Sequence, residues 1–194
     1  MNNQTRYLFL DLETGGVDIE TSILTAAFVV TDSEFEILAK EHWAVMPDNG
    51  RFLVDAGGMA KNRLDLIKLA EVAQSYSEAS HNLRELIKKW SDDGKNKLIP
   101  AGYGVIFDVN HIQHHWLKKS NWEQFCSYRI LDVRCAIQFL NACGVIKFKG
   151  GLEECVEKFG LKKPDLEFHD ALSDTLYCIE VTKFLCNRFS SIKF

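Results

Sequence analysis

Asp11 and Glu13 stand two residues apart at the end of an apolar run, Tyr7-Leu8-Phe9-Leu10, which has strand character and breaks at Gly15-Gly16. Side chains alternate along a strand, so Phe9, Asp11 and Glu13 share one face while Leu8, Leu10 and Leu12 share the other. The two carboxylates then sit about 6.5–7 Å apart at Cα, at the end of an otherwise buried element. Such neighbours repel, and their charge is costly to bury unless a cation lies between them. The bland alternative is a strand end whose acids point into water. The choice depends on what the rest of the chain supplies. Asp108 follows a later apolar segment and opens a helical stretch, where an acid also suits the helix dipole. His169 lies at a loop-to-helix junction, and Asp174 falls about one turn inside the last helix, among Leu172, Leu176 and Tyr177. An Asp there is a poor helix former facing partly inward, and it needs a partner. His111, His114 and His115 make a rival grouping, at a helical spacing that can bind a transition metal. Gln113 and Trp116 beside them offer no evident fourth ligand, so the three are read as surface histidines.

The elements that must position these groups follow from periodicity. Residues 23–30 form a continuous apolar run, as in a strand covered on both faces, and Asp32-Ser33 marks a turn. Residues 35–45 alternate, with Phe35, Ile37, Ala39 and Trp43 on one face, so the first three strands form an antiparallel meander. The stretch 47–58 reads as irregular, and helices are predicted over about 60–73 and 78–91. A strand follows at 97–103, then a helix at 107–119 and a short strand at 128–133. Next come a helix ending near Cys143-Gly144, a short helix at 151–159, and a last helix from about Asp170 to Arg188. The order β-β-β-α-β-α-β-α-α predicts an α/β fold, a mixed sheet flanked by helices.

Composition narrows the classes. The 194 residues suit a single domain spanning 1–194, and 46% hydrophobic with 26% charged residues is ordinary for a soluble globular chain. No apolar run approaches about 18 residues, so no membrane span is expected. Lys and Arg number 23 against 27 Asp and Glu, a net charge of −4 that excludes a broad polyanion-binding surface. The small basic groups Lys118-Lys119, Lys147 with Lys149, and Lys162-Lys163 are read as solvated surface. Six cysteines without a Cys-x-x-Cys pair, and an N-terminus without a leader pattern, lead us to expect reduced, mostly buried thiols in a cytoplasmic protein.

Taken together, Asp11, Glu13, Asp108 and Asp174, with His169 five residues before the last acid, resemble the DEDDh (DnaQ-like) 3′→5′ exonucleases. Oligoribonuclease and ribonuclease T belong to that family. Leu10-Asp11-Leu12-Glu13, Val30-Thr31-Asp32 and Tyr128-Arg129-Ile130-Leu131-Asp132-Val133 are similar to oligoribonuclease in particular. The resemblance implies a ribonuclease-H-like fold with a mixed five-stranded sheet. It also implies two divalent ions, Mg²⁺ or Mn²⁺, held by the four acids, and His169 as general base. Leu12 would pack on the terminal base and Thr14 would contact the 3′-hydroxyl. The implied partners are single-stranded RNA or DNA 3′ ends, with no membrane, and a homodimer is allowed. Three departures bear on substrate choice. Thr14-Gly15-Gly16 stands where relatives commonly have Thr-Thr-Gly, Thr25 where they often have Glu, and Tyr103-Gly104 where many have His-Asn. The competing readings are a catalytically degenerate nucleic-acid-binding or partner-recruiting module of the same fold, and an endonuclease.

Overall fold

In the computed structural model, residues 5–161 and 170–190 are described. The sheet runs β4-β3-β2-β1-β5-β6, built from β1 (Tyr7–Thr14), β2 (Ile23–Thr31), β3 (Ile37–Met46), β4 (Gln74–Ser75), β5 (Ile99–Gly102) and β6 (Leu131–Asp132). β1, β2 and β3 pair antiparallel, and β1–β5, β5–β6 and β3–β4 pair parallel. This is the mixed sheet expected, with six strands rather than five. The extra member is β4, two residues at the edge of β3, too short to leave a periodic signal.

Eight helices occur among the described residues: α1 (Ala56–Asn62), α2 (Leu66–Val72), α3 (Tyr76–Trp90), α4 (Ile106–His115), α5 (Lys119–Phe125), α6 (Val133–Ala142), α7 (Leu152–Lys158) and α8 (Ala171–Phe189). They cover both faces of the sheet. Leu8, Leu10 and Leu12 pack with Leu83 and Ile87 of α3, Ile112 of α4 and Trp122 of α5. Phe9 and Val29 pack with Ile137 of α6, Val156 of α7 and Tyr177, Cys178 and Val181 of α8. β2 is buried along its whole length, as its unbroken apolar run requires. No helix is long and apolar enough to cross a membrane among the described residues.

Several boundaries differ from the sequence reading. The helix expected over 60–73 is two helices, because Arg63 turns left-handed at φ 57° and Asp65 restarts the chain by accepting from the N–H groups of Ile67 and Lys68. The stretch read as irregular already contains the start of α1, where the Asp55 carboxylate caps Gly58 N–H. Phe35 is not in a strand but closes the β2–β3 turn at φ 64°, its ring tucked against Tyr7 and Phe9. α4 stops at His115, and α5, unforeseen, buries Trp122 and Phe125. All six cysteines are free, but only Cys126, Cys155 and Cys178 are buried, so the thiols are not mostly buried as expected.

Candidate active site

β1 delivers the first acids at the sheet's centre. Asp11 and Glu13 lie opposite Ala27 and Thr25 of β2, on the face that α8 covers. The N-cap Asp170 starts α8 by accepting from Ser173 N–H at 3.0 Å, which sets Asp174 in the first turn, over the end of β1. One carboxylate oxygen each of Asp11, Glu13 and Asp174 lie within 4.8 Å of one another. Asp108, buried in the first turn of α4, approaches from the other side of β1, and its Oδ1 accepts from Leu12 N–H at 3.1 Å. All four acids line one cavity of about 350 Å³ with Leu12, Thr14 and Phe107.

Crowding sets the electrostatics. Burial, then the charges of Asp108, Asp174 and Glu13, hold the Asp11 carboxyl well above the usual carboxylate range, against a lowering pull from Lys61. Burial and Asp174 raise Glu13 to about 7, and burial raises Asp108 to about 8 although the Leu12 N–H favours its charged form. Metal-free protein therefore keeps protons here that an unfolded chain releases near pH 4. Its stability should fall as pH rises from about 4 to about 8, because these raised acids contribute fully only below their unfolded values. Melting curves in EDTA across that range should show the decline, and it should flatten in the Glu13→Gln/Asp108→Asn double variant. A melting temperature that rises toward neutral pH, or an equal slope in the variant, would contradict this assignment of charge.

Backbone packing explains the loop beyond β1. Gly15 O accepts from Asp55 N–H at 2.7 Å, and Thr14 O accepts from Asn62 Nδ2 at 2.9 Å, so α1 is tied to the acid motif. A Cβ on Gly15 would meet Leu53 O at 2.5 Å, and one on Gly58 would meet Gly15 O at 2.4 Å. Gly15 is thus matched to the neighbouring segment at Leu53 and Val54, which leaves no room for a side chain. Thr14 Oγ1 donates to Gly16 O at 2.6 Å, which commits its proton and leaves the hydroxyl oxygen only an acceptor role. Thr25 is buried across from Glu13, and its hydroxyl has no hydrogen-bond partner among the described residues.

Of the predicted site residues, Asp11, Glu13, Asp108, Asp174, Leu12 and Thr14 converge on this cavity, and His169 lies outside the described residues. Of the α4 histidines only His114 is an exposed surface group, as expected; His111 is buried and His115 half-buried. His111 is 1% exposed, with one ring nitrogen on Phe107 O and the other on Asp18 O, and His115 Nε2 reaches Ile19 O and Thr21 O. His114 pairs with Glu20. Together they fasten the 18–21 loop that follows the acid motif. Sequence reasoning missed Lys61, Arg134 and Phe107 as cavity residues. Phe107 adjoins Asp108 and could have been suspected, but nothing local marks the other two.

No family model matches the sequence, and no curated protein matches it. Solved structures do match. A complex of E. coli exonuclease I with a dT13 oligonucleotide aligns at a TM-score of 0.74 and 18% identity, over 96% of this chain and 42% of that one. A zinc-ion-bound form of an E. coli ExoI–ssDNA complex gives 0.75 and 18%, over 97% and 42%. A product-bound exonuclease I gives 0.71 and 17%, over 95% and 44%. At this identity the likeness shows the fold, which is ribonuclease-H-like. The chain spans about two fifths of the length of these proteins.

Proposed function

We propose that this chain is a divalent-metal-dependent 3′→5′ exonuclease that trims single-stranded nucleic acid and releases nucleoside 5′-monophosphates. The observation that carries the reading is the meeting of Asp11, Glu13 and Asp174 oxygens within 4.8 Å, with Asp108 in the same cavity. Clustered carboxylates with raised proton affinity fit hard cations, and Asp11, Glu13, Asp174 and Asp108 would hold Mg²⁺ or Mn²⁺. Such ions supply Lewis acidity at the phosphodiester and lower the pKa of attacking water. The remaining roles belong to the chain. Leu12 and Phe107 offer apolar surface for the terminal nucleoside. Thr14, its hydroxyl proton committed to Gly16 O, accepts a hydrogen bond from the terminal 3′-hydroxyl. His169 takes the proton of the attacking water, a task that suits a group titrating near neutrality.

The neighbours bound to oligonucleotides support single-stranded DNA as substrate. The sequence resemblance to oligoribonuclease keeps RNA as the second arm of the test. A 5′-labelled oligonucleotide of each kind should shorten one nucleotide at a time with Mg²⁺ or Mn²⁺, and a 3′-phosphate should block the reaction because it cannot donate to Thr14. His169→Ala should slow the same ladder by about 10²–10⁴-fold and lose the rise in rate through the histidine range, roughly pH 6–7.5. Early internal cuts, or indifference to the 3′-phosphate, would return the reading to an endonuclease. Absence of any cleavage would favour the degenerate binding module.

A further inference from the structure

Three cations gather at one end of the carboxylate cavity, in a chain whose net charge is −4. Lys61 of α1, Arg134 of α6 and Lys149 of the α6–α7 connection line a second lobe of about 460 Å³; among the described residues Glu153 is its one acid apart from those shared with the first lobe. The two lobes meet at Asp11, Asp174, Lys61, Tyr103 and Arg134. Among the described residues the ion pairs engage Arg6, His42, Lys68, Lys88, His114, Lys119 and Lys183, and none of the three lobe cations. All three are exposed, so their charge stays solvated and available to an incoming anion.

The lobe is held in shape. Asn141 Nδ2 donates to Phe148 O and Tyr103 OH donates to Gly150 O, so the backbone is pinned on both sides of Lys149. Gly150 N–H in turn donates to Glu154 Oε2 at 3.0 Å. Gly150 has φ 81°, and a Cβ there would meet Ile137 Cγ2 at 2.6 Å, so this connection lies directly on α6. Arg134 and Gln138, four residues apart on α6, both line the lobe. Asp132 caps α6 at Cys135 N–H and also accepts from Gly104 N–H at 3.1 Å, joining that helix to the β5 turn.

We propose that Arg134 and Lys149 hold the phosphates on the 5′ side of the scissile bond, so that a single strand crosses from the first lobe over the acid cluster into the second. This rests on the exonuclease reading above. The terminal nucleoside occupies the lobe of Leu12, Thr14 and Phe107, and the scissile phosphate sits where the lobes meet. The next phosphates along the strand then fall beside Arg134 and Lys149. A solvated cation that exchanges water for phosphate releases counterions from the strand, which favours binding and makes it salt-dependent. Tyr103 is a positioning residue, because its hydroxyl anchors Gly150 beside Lys149. The two cations thus confer a preference for a chain over a single nucleotide.

The test compares two substrates, a short single-stranded oligonucleotide and the p-nitrophenyl ester of thymidine 5′-monophosphate, which has a phosphodiester but no nucleotide 5′ of it. In the Arg134→Gln/Lys149→Gln variant, kcat/KM for the oligonucleotide should fall by at least about tenfold more than for the ester, mostly through KM. The salt slope of oligonucleotide binding should shrink by about 1.4, the value for two lost single-strand contacts. Lys149→Arg alone should restore most of the slope lost in Lys149→Gln, which a merely structural role would not predict. Equal loss on both substrates, or none on either, would overturn the proposal. If wild-type protein cleaves neither substrate, the exonuclease reading has failed. Oligonucleotide binding measured by fluorescence anisotropy then decides the cationic lobe alone, and an unchanged salt slope rejects it.

Discussion

Asp11→Asn is expected to slow phosphodiester cleavage by about four orders of magnitude while raising the melting temperature of the metal-free protein. Both effects have one cause. Asp11 sits among Asp108, Asp174 and Glu13, and its charge is opposed first by burial and then by all three neighbours. A neutral amide of the same shape removes that repulsion, worth about 2–4 °C per kcal/mol in a chain of this size. The same exchange removes a hard anionic oxygen from the cluster of three that defines the site. Activity and stability should therefore move in opposite directions. A single-turnover assay and a melt in EDTA, run on the same preparation, check this. A variant that loses activity because it has unfolded would show that Asp11 is a structural acid, and a variant that stays active would remove it from the chemistry.

Chelation is expected to abolish cleavage outright, and Mg²⁺ or Mn²⁺ to restore it, with apparent metal affinity rising between about pH 6 and pH 8. The sign follows from the protonation of the free site. Glu13 at about 7 and Asp108 at about 8 are partly protonated at neutral pH, and a cation must displace those protons. Binding should accordingly release protons, and the heat measured by titration calorimetry should vary with the ionisation enthalpy of the buffer. Metal should also raise the melting temperature, more at pH 8 than at pH 6, because the ion neutralises charges that the metal-free protein tolerates poorly. Full activity in excess EDTA would end the metal-dependent reading. Metal binding without buffer dependence would show that the acids are already ionised.

The α/β class and the meander of β1, β2 and β3 were legible because they depend on short-range alternation: β2 is apolar throughout, and β1 changes from apolar to acidic on one face only. The same period of two placed Asp11 and Glu13 together before any fold was known. That Asp174 would join them was legible through an acid in an apolar helix, and the ordered set with Asp108 and His169 carried the family resemblance. Helix breaks were poorly legible. Arg63 and Asp65 divide one apolar-periodic stretch through local capping, and α5 ends a region in which no single periodicity dominates. His111 and His115 looked like surface groups because their partners are backbone carbonyls of residues 18, 19 and 21, which leave no mark in side-chain patterns. Lys61, Arg134 and Lys149 come from α1, α6 and a loop, far apart in the chain. Only packing decided their meeting: Asp55 N–H on Gly15 O draws α1 against the acid motif, and Tyr103 on Gly150 O draws the loop to the end of β5. Each is a hydrogen bond between distant segments, and its partner exists only once the sheet has formed.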